Sequence, residues 1–216
     1  RVSYPVLSSI QNDLHRLKEA YRRVIKTTMM ISFAFMLGLA AVAKPLIIIL
    51  IGDKWVGAIF YLQIICFSGM LYPLHAINLN MLQVKGRSDL FFKLEIIKKI
   101  AGIFPIVLGI FYGIEYMLWG SVCVSIIAFF LNSYYSADLV NYSTIDQIKD
   151  ILPTLLISLL VALPMWLISL LNISVYVMLP IQCFLGGGLA FFIYEKLKLE
   201  EYIEIKYLLL SIIKRK

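Results

Sequence analysis

The sequence predicts an all-α integral membrane protein, a six-transmembrane-helix bundle followed by a short amphipathic C-terminal tail, and three observations predict it. Only 15% of the 216 residues are charged and 61% are hydrophobic, whereas a soluble domain carries about 25% charged residues. The mean hydropathy of +0.88 makes lipid the solvent for most of the surface. Long apolar runs can be cut into stretches of about 20 residues, the helical length that crosses a hydrocarbon core of about 30 Å. Finally, eighteen of the twenty Lys and Arg residues fall in alternate gaps between those runs. The basic gaps are residues 1–26, 85–99, the connector holding Lys149, and the stretch from Lys196 to Lys216; the gap holding Lys44 and Lys54 has only those two. Under the positive-inside rule both ends of the chain are then cytoplasmic.

Each element follows in order. Residues 1–26 read as a cytoplasmic loop and an interfacial helix, with Leu14, Leu17, Tyr21 and Val24 on one stripe and His15, Arg16, Arg22 and Arg23 off it. The membrane lobe covers residues 27–195. Its first span runs near Thr27 to Ala43 and is ended by Lys44 and Pro45, because proline lacks the amide a continuing helix uses. Pro45 suits the first position of a new short helix, Leu46 to Ile51, which stops at Gly52, and Trp55 and Tyr61 suit an aromatic belt. The second span, Gly57 to Val84, is longer than a bilayer requires, which implies tilt, a kink at Pro73 or extension into the cytoplasm. Ser88 or Asp89 caps the third, which ends near Tyr112. The fourth covers Tyr116 to Ala137, Asp150 and Pro153 open a fifth that ends near Leu171, and the sixth spans Ser174 to Tyr194. Residues 196–216 form the basic tail, interrupted by Glu200, Glu201, Glu204 and Lys206, so it lies along the membrane surface. Arg1 is not an initiator residue, so a preceding segment is expected.

Several function classes have little material here. The cations are spread over gaps, not gathered on one face, so nucleic acid is not an expected partner. Cys66, Cys123 and Cys183 share no metal or redox spacing, and His15 and His75 are the only histidines. No zinc-peptidase, nucleophile-elbow or phosphate-loop motif occurs, and Gly186 to Gly188 follow no strand. Neither a cofactor nor a metal is expected, and the chain does not read as an enzyme. Gln63 and Gln182 stand alone in their spans as packing contacts, while the three glycines allow close helix approach.

Two clusters do carry chemistry. Counting about 20 residues back from Tyr112 places Glu95, Lys98 and Lys99 within bilayer depth. Glu95 can pair with one lysine at helical spacing and leave the other for an anion; alternatively, both lysines snorkel to lipid phosphates. In the second span Tyr72, His75, Asn78, Asn80 and Gln83 occupy an arc of about 200° at 100° per residue. Unsatisfied amides facing lipid are costly, so this arc either lines a cavity or bonds to neighbouring helices. His75 is a candidate for proton coupling or for a structural hydrogen bond.

Three motifs point to a family. Pro5, Leu7, Ser8, Gln11 and Asp13 match P-x-L-S-x-x-Q-x-D before a basic helix; Pro45 to Trp55 reads PLIIILIGDKW; and Gly86 to Leu90 reads G-R-x-D-L. In this order they resemble polysaccharide flippases of the multidrug/oligosaccharidyl-lipid/polysaccharide exporter superfamily, over Tyr4 to Lys99; beyond that only the topology matches. The resemblance implies one lobe of a two-lobe transporter whose N-terminal lobe precedes residue 1. It implies alternating access in a bacterial inner membrane, with an undecaprenyl-pyrophosphate-linked oligosaccharide as substrate for lipopolysaccharide or capsule synthesis. Membrane lipids, the N-terminal lobe and other polysaccharide-assembly proteins are the implied partners. It makes Lys98 and Lys99 candidates for a cationic cavity, with Glu95, Asn78, Asn80, Gln83 and His75 beside them. The alternatives are an organic-cation exporter of the same superfamily, which would favour acidic cavity residues, and a membrane-embedded polysaccharide polymerase or transferase.

Overall fold

Every fourth residue from Leu17 to Leu37 is buried along α1 (Leu14–Ala41), so one stripe of this helix faces the core from its first turns to its last. The computed structural model describes residues 7–203 and 206–207. Tyr4 to Val6 of the first motif, Arg1, Glu204 and the C-terminal cluster Lys214 to Lys216 lie outside the described residues. The continuous stripe corrects the expected boundary at residue 26. Leu17 and Tyr21 stay in phase with Ile25, Met29 and Phe33, so the N-terminal helix enters the bundle instead of resting on the membrane surface.

The first span ends at Ala41, and α2 (Ala43–Ile51) follows after Val42 alone. Lys44 and Pro45 therefore open α2; they do not close α1, and a proline in the first turn sacrifices an amide that has no intrahelical partner. A 3₁₀ turn, Asp53–Trp55, leads to α3 (Ala58–Gly69) and α4 (Tyr72–Val84), with Pro73 in the first turn of α4. The break between them frees backbone carbonyls at bilayer depth, where each must find a donor. Ser32 Oγ donates to Met70 O at 2.9 Å, and Ser125 Oγ to Ser68 O at 3.3 Å.

The third crossing is broken into α5 (Ser88–Ala101) and α6 (Ile103–Tyr112), of 14 and 10 residues. Pro105 has no N–H for the Ala101 carbonyl, which interrupts the ladder beside Gly102. Together the two pieces reach about 37 Å at 1.5 Å per residue, enough to cross. Ser88 starts α5, with no side-chain cap at its N-terminus. Next come α7 (Ile114–Val140), α8 (Thr144–Ile168) and α9 (Val175–Leu197). The fifth span starts earlier than Asp150: Ser143 Oγ accepts from Asp146 N and caps α8, leaving Pro153 and Pro164 inside the helix.

Cross-links fix the direction of each pass. Arg22 in the first half of α1 pairs with Asp150 near the start of α8, and Lys44, in the opening turn of α2 just past the end of α1, donates through Nζ to Ser169 O just past the end of α8. Lys85 Nζ reaches Gln11 O, and Lys26 pairs with Glu201, so both loops and the chain's last described residues gather at one basic end. The chain thus passes the bundle six times. Five of the helical passes are long and apolar enough to span a membrane, counting α3 and α4 together; α5 and α6 make the remaining one. It is an all-α membrane bundle, and among the described residues no strand occurs. The α1–α8 pair forms its centre, α3, α4 and α7 pack on one side, and α9 packs on α8 and α2. Gly186 of α9 lies so close to the Met165 side chain of α8 that a Cβ would collide with it, whereas Gly187 and Gly188 face open space. Gln63 and Gln182 donate to the carbonyls of Ala40 and Met165 at 3.1 and 2.7 Å, as packing contacts should.

Candidate functional site

The family-like motifs build turns. Asp13 Oδ1 accepts from Arg16 N at 3.1 Å and starts α1, while Leu7 is buried in the core. Gly52 has φ +94° and its amide closes α2 on Ile47 O and Ile48 O, a conformation only glycine adopts without strain. Gly86 has φ +70°, and Arg87 N reaches back to Leu82 O at 2.8 Å, the six-to-one bond of a glycine-terminated helix. Arg87 then grips Asp89 with two bonds of 3.0 Å. The Lys85–Gln11 bond joins the first motif to the third at 3.1 Å. These residues shape the basic end and leave ligand contacts to others.

Beside them lies a clamp on the largely buried Asp150. Arg22 Nε and Nη2 donate to Asp150 Oδ2 and Oδ1 at 2.5 and 2.6 Å, and the Tyr142 hydroxyl donates to Oδ2 at 2.7 Å. Burial, reinforced by the Asp150 carboxylate, pushes the Tyr142 phenol well above its ordinary range. Sequence reading did not single out Asp150 as part of this clamp. The i, i+1 cations Arg22 and Arg23 signal only a polar face, and the partner lies 128 residues away.

The polar arc of the second span divides in two. Asn78 is fully buried. Its side-chain oxygen accepts from Tyr21, and its Nδ2 donates to Gln147 Oε1 at 3.2 Å, so it bonds α4 to α1 and α8 instead of facing a cavity. A dry core amide is best satisfied by other side chains, and this one has two. Asn80 and Gln83 are half-buried and their side chains make no hydrogen bond among the described residues. Tyr72 is exposed. His75 is half-buried, with Nε2 3.1 Å from Ser125 Oγ of α7.

Lys98 pairs with Glu95 one turn earlier on α5, its side chain 20% exposed, whereas Lys99 is exposed and has no ion-pair partner among the described residues. The pairing expected from the spacing is therefore Glu95 with Lys98. Both lysines occupy the last turn of α5, where carbonyls freed by the Pro105 break favour positive charge. His75 lies about 14 Å from the basic end of α4 and Lys98 about 15 Å from that of α5, so the two sit at similar distances along their helices. An apolar cavity of about 620 Å³ lies nearer the opposite end among Leu37, Phe60, Phe67, Trp119, Leu163 and Trp166. None of the seven candidate residues lines it, and it offers no charge to an anion. Among the described residues no cluster of three His, Cys, Asp or Glu side chains is arranged to hold a metal.

A family model described as polysaccharide biosynthesis protein matches residues 1–61. The chain is 30% identical over 109 residues to lipopolysaccharide biosynthesis protein WzxC of Escherichia coli (strain K12), covering 50% of this chain and 22% of that protein. It is 29% identical over 98 residues to an uncharacterized membrane protein in the cps region of Klebsiella pneumoniae, covering 45% and 20%. It is also 29% identical over 92 residues to teichuronic acid biosynthesis protein TuaB of Bacillus subtilis (strain 168), covering 43% and 19%. The matched stretch spans about a fifth of the length of each of these curated relatives. No solved structure matches the chain. The chain is a multi-pass membrane protein similar to polysaccharide biosynthesis proteins, in agreement with the resemblance its motifs carry.

Proposed function

We propose that this chain forms one lobe of a transporter that carries a lipid-linked, pyrophosphate-bearing oligosaccharide across the bacterial inner membrane by alternating access. The basic end is cytoplasmic, where the cations concentrate. The observation that supports the reading is the Glu95–Lys98 pair in the last turn of α5, with Lys98 20% exposed; if α5 and α6 cross the membrane together, a cation there is costly unless it serves a path or a partner. Glu95 balances Lys98 in the resting lobe, and Lys99 supplies a second, uncommitted ammonium one residue on. A pyrophosphate carries enough negative charge to attract both. Half-buried Asn80 and Gln83 add hydrogen-bond donors for oligosaccharide hydroxyls nearer the cytoplasm. Few and partly prepaired contacts suit a carrier that must release its cargo. Membrane lipids and an N-terminal lobe complete the path, with other polysaccharide-assembly proteins acting before and after it.

Replacing Lys98 and Lys99 by alanine in the full-length parent protein tests the reading. The expected result is loss of surface polysaccharide with unchanged abundance of the transporter in the membrane. Normal polysaccharide in that strain would remove the proposed role of the two lysines.

A further inference from the structure

Helices α1 and α9 both pack on α8, and a crevice of about 210 Å³ remains between them. Ala34 and Gly38 of α1 and Gly187 and Ala190 of α9 form its walls, with Ser158 of α8 and Tyr194 of α9 buried inside. Ala34 and Gly187 are exposed, so the crevice opens on the outer surface of the lobe. A Cβ added at Gly38 or Gly187 would meet no neighbouring atom.

The interior is less apolar than its walls. Ser158 is 3% and Tyr194 7% exposed, and neither hydroxyl has a hydrogen-bond partner among the described residues. The two are neighbours, but were one to donate to the other, one proton would still lack an acceptor. Such a donor is costly in hydrocarbon, so the crevice favours an occupant with a carbonyl oxygen. Its shape narrows the choice further. From Gly186 to Tyr194 it runs about 12 Å along α9, which gives a mean section of roughly 18 Å². A helix about 10 Å across needs roughly 80 Å². One acyl chain fits where a helix does not.

A second pocket of about 410 Å³ adjoins the crevice at the basic end, among Arg22, Arg23 and Lys26 of α1 and Glu19, Glu200 and Glu201. Glu201 pairs with Lys26, while the ring of the next residue, Tyr202, stacks on Tyr194 with centroids 5.8 Å apart. Arg22 and Asp150 are paired and so lie level. Lys26 is about 6 Å beyond Arg22 and Ser158 about 12 Å beyond Asp150 along their helices, which sets Ser158 about 6 Å deeper than Lys26. A phosphate and an ester carbonyl on one glycerol are separated by a distance of this order. Three cations and three carboxylates match a head group that bears both signs. A purely anionic head would set its charge against the carboxylates.

We propose that the groove between α1 and α9 binds a glycerophospholipid with a primary-ammonium head group from the leaflet on the basic side. One acyl chain fills the crevice, an ester carbonyl accepts from the hydroxyls of Ser158 and Tyr194, the phosphate sits at Lys26, and the ammonium faces Glu19 and Glu200. The site requires only a bilayer around the lobe. It stands apart from the proposed cargo path, whose lysines are on α5.

The test is native mass spectrometry of the purified full-length parent, delipidated and then supplied with phosphatidylethanolamine or with phosphatidylglycerol of the same acyl chains. Phosphatidylethanolamine should be retained and phosphatidylglycerol lost. Gly187→Leu and Ala34→Leu, which fill the crevice from its exposed rims, should abolish retention without lowering the melting temperature of the lipid-free protein. Gly188→Leu places its side chain outside the crevice and should retain the lipid. Phosphatidylethanolamine carrying a diazirine in one acyl chain should label residues 186–194, and Gly187→Leu should remove that label. Retention unchanged in both crevice-filling variants, equal retention of phosphatidylglycerol, or labelling confined to other helices would each overturn the proposal. So would a disulfide between a cysteine at position 187 and the N-terminal lobe, which would show the crevice covered by protein.

Discussion

The Tyr21 hydroxyl of α1 donates to the side-chain oxygen of Asn78 on α4, and neither residue has any solvent exposure. Ser136 Oγ of α7 lies 3.2 Å from the same hydroxyl, and Gln147 of α8 accepts from Asn78 Nδ2. Four helices thus meet on two side chains. Apolar burial drives helix association weakly in lipid, so such bonds set which faces meet.

Tyr21→Phe removes the donor and should lower stability by about 0.6–1.7 kcal/mol. Asn78→Ala strands Gln147 and leaves the Tyr21 hydroxyl with Ser136 alone, and should cost about 1–3 kcal/mol. Thermal unfolding of the full-length parent in detergent checks both, and neither change should alter pyrophosphate affinity. A large affinity loss in Asn78→Ala at unchanged stability would return Asn78 to the binding site.

At the basic end, Asp150→Asn should destabilise by about 1.5–3 kcal/mol, the range for hydrogen bonds to charged groups, because it weakens the bonds from both Arg22 and Tyr142. Arg22→Gln should cost less, since its side chain is 54% exposed and solvent screens the pair. The double substitution should fall short of the sum of the two singles. Full additivity in chemical unfolding would show that the two groups do not interact.

Of the three described glycines at positive φ, Gly52 and Gly86 hold turns of the family-like motifs. Gly52→Ala and Gly86→Ala meet no neighbouring atom, so any cost comes from the backbone alone. A cost of about 1–2 kcal/mol follows for each from the left-handed conformation. Unchanged melting temperatures would show that these turns relax freely.

Pro105→Ala returns an amide to the Ala101 carbonyl and removes the cause of the break between α5 and α6. If the break helps hold Lys98 and Lys99 at depth, pyrophosphate affinity should fall while stability stays equal or rises. Equal affinity would assign the break to packing alone.

Much of this architecture is written in the sequence through effects of short range. Proline and glycine punctuate the helices at Pro45, Gly52, Pro73 and Gly86, and the kink at Pro73 follows from proline chemistry alone. The limits of sequence reading show at positions 14–26 and 144–153. There a helix extends beyond the apolar run because Leu17 and Tyr21 find partners on other helices, and Ser143 caps a polar first turn that hydropathy does not register. Within the candidate site, the Glu95–Lys98 pair is visible as helical spacing. The different fates of Asn78 and His75 are not, since both sit on one polar arc, and only the helices packed around it decide which partners each one meets.

The most direct test of the central claim, that Lys98 adjoins a water-filled path used by a phosphorylated lipid head, is thiol accessibility in the full-length parent after its native cysteines are replaced. A cysteine at position 98 should react with a membrane-impermeant maleimide and be protected by the lipid-linked pyrophosphate substrate, while a cysteine at position 78 stays unreactive. No reaction at position 98, or reaction that substrate does not slow, would contradict the account.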